Sequence, residues 1–87
     1  MALRRYWLTF DVTFDSPYLM LLQGCGVTAY SLEDAHELIQ TYILEDLPKP
    51  PIKSVTEDVD VSTLDPSHVL PNMGITLRRG IWFPKAE

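Results

Sequence analysis

Residues 31–43, SLEDAHELIQTYI, predict the one clear helix of the chain, and the rest of the fold is worked out around it. Ser31 is the expected N-cap, and Asp34 completes a variant of the capping box in which aspartate replaces glutamate. At helical spacing the apolar residues share one face, and they are Leu32, Ala35, Leu38, Ile39, Tyr42 and Ile43. The proline-rich run at 47–51 ends the helix, because proline cannot continue it.

Before this helix the apolar residues alternate with polar ones, which predicts β-strands. A first strand is expected over residues 6–14 and a second over residues 18–30, and the two pair as a hairpin. Gly24 and Gly26 then mark a bulge or a close backbone approach. Residues 18–24 also fit a short helix, because a serine and a proline precede them and a glycine ends them.

Two more strands follow the helix, so the predicted order is β-β-α-β-β. The third strand covers residues 52–64, a single helical turn begins at Asp65, and the fourth strand covers residues 75–83. Residues 1–87 are expected to form a single domain of the α+β class. This domain is a four-stranded, mainly antiparallel sheet with one helix packed on one face.

One helix covers one face of such a sheet, so the other face must meet solvent, a partner or a second copy. By parity this open face carries Trp7, Thr9, Asp11, Asp58, Asp60, Arg78 and Trp82. Exposed tryptophan is enriched at interface hot spots, so Trp7 and Trp82 are predicted to contact a partner. The alternatives are that loops or terminal residues fold over both rings, or that the assignment of the two faces is reversed.

Charge is segregated along the sequence. The formal net charge is -5, yet between residues 6 and 77 there are eleven acidic residues and two basic ones. The other five basic residues lie at the two ends of the chain. Such a field repels nucleic acid and an anionic membrane surface, and it attracts a basic protein. We therefore predict a basic protein partner, with no nucleic acid and no membrane.

Asp58 and Asp60 fall two residues apart on one face of the third strand, where like charges destabilise a sheet. Either Arg78 on the fourth strand or a basic partner compensates for them. A calcium site is disfavoured, because no loop has the spacing that would supply enough oxygen ligands. Glu57 and Arg79 both fall on the otherwise apolar face, so we expect them to pair with each other.

Glu45 and Asp46 fall at the carboxyl end of the helix, where the macrodipole disfavours negative charge. This placement favours an external cation, unless the helix has already ended at Leu44. The full set of predicted partner-binding residues is Trp7, Asp11, Glu45, Asp46, Asp58, Asp60, Arg78 and Trp82.

Catalytic motifs are absent from the sequence. Cys25 is the only cysteine, so no internal disulfide can form, and its place between two glycines is typical of a small buried residue. A thiolate–imidazole pair of Cys25 with His36 or His68 lacks a third residue that would orient it. We expect no catalytic residue, no metal, no cofactor and no enzymatic activity. No signal peptide or bilayer-spanning run is recognisable, so we expect a cytoplasmic protein.

Four segments together resemble small bacterial α+β proteins of toxin–immunity loci, such as those of contact-dependent growth inhibition. The segments are GCGVTAYSLEDA at 24–35, VDVSTLDP at 59–66, HVLPNMG at 68–74 and RGIWFP at 79–84. The resemblance implies a small, acidic, cytoplasmic, non-enzymatic protein that binds a toxin domain and blocks its active site. It assigns no binding residue, because immunity surfaces differ from pair to pair.

We accordingly expect an immunity protein that binds and neutralises a basic bacterial toxin. A nuclease is the most concrete target, because its surface must be cationic to hold phosphates, and an acidic inhibitor then gains in association rate. The alternative is a small ligand-binding or regulatory domain that forms a homodimer through its open sheet face. A stable dimer that buries Trp7 and Trp82 would favour this alternative.

Overall fold

A computed structural model describes residues 2–12 and 18–84 of the chain. Its regular elements are β1 (Arg4–Phe10), β2 (Cys25–Ala29), α1 (Leu32–Ile39), β3 (Ile52–Glu57) and β4 (Gly80–Phe83). The four strands form one antiparallel sheet in the order β3-β1-β2-β4. The predicted α+β class and the order β-β-α-β-β are confirmed.

The strands are shorter than the sequence predicts, because local turns interrupt the alternation. The end of the first predicted strand lies outside the described residues. Residues 18–24 are not a strand: Leu19–Leu21 is a 3-10 turn, so the short-helix alternative is right. The third strand ends at Glu57, because Asp58 adopts a left-handed φ of 52°. The fourth begins at Gly80 rather than at residue 75.

The helix packs on the first face of the sheet, as predicted, and forms what we call the helix-side core. Its buried members are Tyr6, Leu8, Phe10, Leu21, Cys25, Val27, Ala29, Ala35, Leu38, Ile39 and Leu44. Ser31 caps the helix by accepting a hydrogen bond from the Asp34 backbone N–H (3.1 Å). The predicted burial of Tyr42 is wrong, since its side chain is 71% exposed.

A change in helix type explains the exposure of Tyr42. After Ile39 the chain continues as a π-helical turn over Gln40–Leu44, closed by a hydrogen bond from Glu45 N to Gln40 O (2.8 Å). A π turn places one extra residue between bonded partners, so the α-helical periodicity no longer holds. Leu44 is therefore buried in the core, whereas Tyr42, which the α-helical pattern assigned to the core, is exposed.

The second face of the sheet is covered, so the predicted open face is wrong. Residues 59–73 cross it and form, with the sheet, what we call the loop-side core. Its buried members are Trp7, Val59, Val69, Trp82 and Phe83, with Val61, Leu64 and Met73 packed against them. Trp82 is 1% exposed, and Trp7 is 9% exposed. A dimer through an open sheet face, as in the alternative function, therefore has no such face to use.

Gly24 and Gly26 allow the two tryptophan rings to approach the backbone. A Cβ on Gly24 would lie 2.5 Å from Cζ2 of Trp7, and one on Gly26 would overlap the ring of Trp82. Gly26 pairs with Phe83 and the next residue of β2 pairs with Ile81, so Trp82 is an extra residue in β4. Such a bulge re-aims a side chain, which explains why adjacent residues of β4 share the loop-side core. The close approach predicted at Gly24 and Gly26 is confirmed, whereas the bulge lies in β4 opposite Gly26 and not in the pairing of the first two strands.

Candidate partner-binding surfaces

The predicted binding residues do not form one surface. Trp7 and Trp82 are buried, so neither ring is available as a contact anchor. The six charged residues of the set, which are Asp11, Glu45, Asp46, Asp58, Asp60 and Arg78, are all exposed. They are spread over the molecule. Asp11 directly follows Phe10, the last residue of β1, whereas Asp58 lies beside Arg4, the first residue of β1.

Asp58 and Asp60 lie in the turn after β3 rather than on a strand face. The carboxylate of Asp58 lies 3.7 Å from the guanidinium of Arg4, which is also 3.6 Å from Glu57. Asp60 accepts hydrogen bonds from Ser62, from Oγ at 2.7 Å and from the backbone N–H at 3.1 Å. These bonds lower the pKa of Asp60. The predicted pairing of Asp58 and Asp60 with Arg78 is wrong for the described parts of the chain, because β3 ends too early.

Arg79 pairs with Asp34 of α1, so the predicted pair between Glu57 and Arg79 is wrong. Its Nε donates to Oδ2 of Asp34 at 2.8 Å, and its Nη2 donates to Oδ1. This two-point contact is the main cause that lowers the pKa of Asp34 to about 2, and a hydrogen bond from the backbone N–H of Tyr30 adds to it. The pair ties the start of the helix to the start of β4.

Four arginines gather at one end of the sheet. Arg5 of β1 is paired with Thr28 of β2, and Thr28 is in turn paired with Gly80 of β4. Arg4 therefore lies at the same end of the sheet as Arg78 and Arg79, which directly precede Gly80. Three of the arginines have partners: Arg4 has Glu57 and Asp58, Arg79 has Asp34, and Arg5 donates to the Val59 carbonyl at 3.2 Å. Arg78 has no acidic partner within residues 2–12 and 18–84.

The exposed side chains of the helical segment and the turn that ends it include those of Glu33, Glu37, Tyr42, Glu45 and Asp46, which we call the acidic helix surface. All five side chains are exposed, and none of the four acids forms an ion pair within the described part of the chain. The helix has ended before Glu45, which has a left-handed φ of 55°, so the macrodipole argument for an external cation no longer applies.

Sequence reasoning missed two parts of this surface. Glu33 and Glu37 are placed favourably near the amino end of the helix and drew no functional interpretation. Their spacing of four residues was the available signal, because like charges at i and i+4 destabilise a helix slightly. Tyr42 was assigned to the core by α-helical periodicity, and the π turn reverses that assignment.

Cys25 and the two histidines have local roles. Cys25 is buried, as predicted, and burial raises the pKa of its thiol to about 12, which makes it a poor nucleophile at neutral pH. His68 lies 3.2 Å from Asp65, which also accepts hydrogen bonds from the backbone N–H groups of Ser67 and His68. Burial, and then the nearby Lys49, lowers the pKa of His36.

Titration calorimetry with Zn²⁺, Mg²⁺ and Ca²⁺ is expected to show no stoichiometric binding. Within residues 2–12 and 18–84, no three His, Cys, Asp or Glu side chains are grouped so that they could hold a metal ion. Asp58 is engaged by Arg4, and Asp60 and Asp65 bond to their own turns. A sub-micromolar site that is lost in an Asp58→Asn, Asp60→Asn or His68→Gln variant would contradict this prediction.

Comparison with known proteins identifies no relative of this chain. No family model matches the sequence, and no curated protein and no solved structure is detectably similar to it. The resemblance to immunity proteins therefore stays a prediction from the residues. Among the described helices, none has the length and apolar character needed to cross a membrane.

Proposed function

We propose that this protein is a non-enzymatic protein-binding module, an immunity protein that binds and neutralises a basic bacterial toxin in the cytoplasm. A nuclease domain is the target that best fits this chemistry. The observation that carries the proposal is the acidic helix surface, on which an exposed tyrosine accompanies four exposed acids that form no ion pair with residues 2–12 and 18–84.

The charges of this surface favour association with a cationic partner. A nuclease must present a positive surface to phosphates, and a facing cluster of carboxylates raises the rate of productive encounter. Glu33, Glu37, Glu45 and Asp46 can do this, since none of them is paired within the described part of the chain, whereas Asp58 is paired with Arg4. Asp11, Asp58 and Asp60 contribute to the long-range field from outside the helical segment.

Tyr42 is the aromatic residue best placed to hold the complex once it has formed. Its side chain is 71% exposed, and it lies three residues before Glu45. Tyrosine is enriched at interface hot spots, because it offers a large apolar ring together with a hydroxyl group. Tyr42 thus takes the role that the sequence suggested for Trp7 and Trp82.

The proposal is tested by binding kinetics with a partner that is captured from the native cells and identified by mass spectrometry. A Glu33→Gln/Glu37→Gln variant is expected to associate about tenfold more slowly and with a weaker salt dependence. The matched control is Asp11→Asn/Glu57→Gln, which changes the net charge equally at exposed sites off the surface. Surface plasmon resonance at low and near-physiological salt measures both variants, after circular dichroism has shown that they fold.

The same experiment tests the aromatic anchor. Tyr42→Ala is expected to raise the dissociation rate about 30-fold, the equivalent of a hot spot of about 2 kcal/mol, with little change in association rate. Equal association rates for the helix variant and its matched control would contradict the proposed surface. A captured partner that is itself acidic would contradict the electrostatic basis of the proposed function.

A further inference from the structure

A cleft opens beside β4, the strand at one edge of the sheet. Between this strand and the chain that precedes it lies a volume of about 670 Å³. Met73, Ile75 and Ile81 supply an apolar lining, Gly74 and Gly80 supply backbone, and Arg78 supplies a positive charge. The volume falls within the range of sites that bind ligands or side chains.

The two edges of the sheet are protected to different degrees. Edge strands present unpaired N–H and C=O groups, and charged residues or bulges usually shield them. β3 has such shielding, because Ser54 pairs with Thr9 and Ile52 with Phe10, which leaves Lys53 as an extra residue. β4 consists of Gly-Ile-Trp-Phe and has a bulge of its own at Trp82, but it has no charge and no proline, so it lacks the charged residue that β3 carries.

The cleft leaves part of the β4 edge accessible. Gly74 donates its backbone N–H to the Trp82 carbonyl at 2.7 Å, so the loop covers the strand at that residue. Gly80 and Ile81 line the cleft instead. A Cβ added to Gly80 would meet no atom within 4 Å, so the face of the strand is open at this residue.

The side chains around this edge are apolar and cationic. Ile75 and Leu77 are 59% and 78% exposed, which is unusual for two aliphatic residues so close in sequence. Arg4 and Arg79 are engaged by acids, but Arg78 is exposed and has no acidic partner in residues 2–12 and 18–84. A guanidinium can hold a carboxylate through two parallel hydrogen bonds, so an acidic side chain is complementary to this site.

We propose that the β4 edge binds an extended acidic segment of a partner protein, which adds to the sheet as a fifth strand. Backbone bonds to one of Gly80 and Ile81 would hold the segment, because adjacent residues of a strand direct their N–H and C=O groups to opposite sides. An apolar side chain would pack between Ile75 and Ile81, and a carboxylate would pair with Arg78. This mode, β-strand addition, derives affinity from the backbone and specificity from alternate side chains. The site is separate from the acidic helix surface and does not depend on the proposed function.

Three capped pentapeptides serve as probes in nuclear magnetic resonance titrations of the ¹⁵N-labelled protein: Glu-Val-Glu-Val-Glu, Gln-Val-Gln-Val-Gln and Lys-Val-Lys-Val-Lys. The glutamate peptide is expected to shift the amide signals of Gly80 and Ile81 and to bind about tenfold more tightly than the glutamine peptide, because its hydrogen bonds are charge-assisted. The net charge of -5 would favour the lysine peptide, so a preference for glutamate reports the local arginine.

Two variants and one modified peptide locate the interaction. Arg78→Gln should reduce the affinity for the glutamate peptide to that for the glutamine peptide. Lys53→Gln, which removes one positive charge at the opposite edge, should leave it unchanged. A glutamate peptide that is N-methylated on alternate residues should bind at least about tenfold more weakly, because it cannot pair along a strand.

Several results would overturn the proposal. They are no binding of the glutamate peptide, tighter binding of the lysine peptide, signal shifts confined to β3 or α1, or full affinity in Arg78→Gln. Shifts of Gly80 and Ile81 that depend on protein concentration alone would assign the edge to a second copy of the chain, and equal binding of the N-methylated peptide would exclude strand addition.

Discussion

Replacing Trp82 by alanine is expected to lower the free energy of unfolding by about 3–5 kcal/mol. The ring is buried, it stacks on Trp7 with 5.9 Å between ring centroids, and it lies over the Cα of Gly26. Natural domains are stable by about 5–15 kcal/mol, so the loss would be a large part of the total. Urea denaturation followed by far-ultraviolet circular dichroism measures it.

A Trp82→Phe variant is the control for this prediction. It keeps an aromatic ring in the loop-side core and removes the indole N–H, which is buried and has no hydrogen-bond partner among residues 2–12 and 18–84. We expect it to lose clearly less stability than Trp82→Ala, because an unsatisfied buried donor costs about 1–3 kcal/mol. A loss below about 0.5 kcal/mol for Trp82→Ala would identify a surface residue and would restore the open face.

Replacing Leu38 by alanine is expected to lower the free energy of unfolding by about 2–5 kcal/mol. Leu38 lies on the buried side of α1 in the helix-side core, where it is 6% exposed. The lost contacts and the remaining cavity both contribute to the expected cost. Thermal and urea denaturation monitored at the helix signal give the measurement.

Leu77→Ala is the matched control, because it makes the same chemical change at a residue that is 78% exposed. Its effect should stay within about 0.5 kcal/mol, as is usual for surface substitutions. If Leu38→Ala costs no more than Leu77→Ala, the packing of the helix on the sheet is wrongly described. A large loss in Leu77→Ala alone would instead show that the segment before β4 is packed.

The parts of the fold that depend on local signals could be predicted from the sequence. Ser31 as the helix cap, the antiparallel pairing of the first two strands, and the close approach at Gly24 and Gly26 all follow from short patterns. Tyr42 shows where such patterns stop being sufficient. A π turn changes the periodicity, and nothing in the residues of that turn separates it from an ordinary helical turn.

The error about the open face has a different cause. The prediction assumed that only a helix or another sheet can cover a face of the sheet. Here an irregular segment, residues 59–73, covers the second face. Val59 and Val61 continue the alternation of the third strand and were assigned to it. They are buried, or partly buried, as parts of this segment instead, because the left-handed backbone at Asp58 turns the chain away.

Ion pairs were the least predictable part of the candidate surfaces. The pairs of Arg79 with Asp34 and of Arg4 with Glu57 join residues that are far apart in the sequence. Which charges meet depends on strand register and on where each strand ends, and both are poorly determined by one sequence. These pairs account for Asp34, Glu57 and Asp58, which leaves the acids of the helical segment as candidates for binding a partner.

The position of the tryptophans and the cysteine has a practical consequence for experiments. Both tryptophans of the chain lie in the loop-side core, so intrinsic fluorescence reports on that layer. The single cysteine lies in the helix-side core, where its thiol is shielded from alkylating reagents until that layer opens. One unlabelled sample thus carries a separate optical and chemical reporter for each side of the sheet.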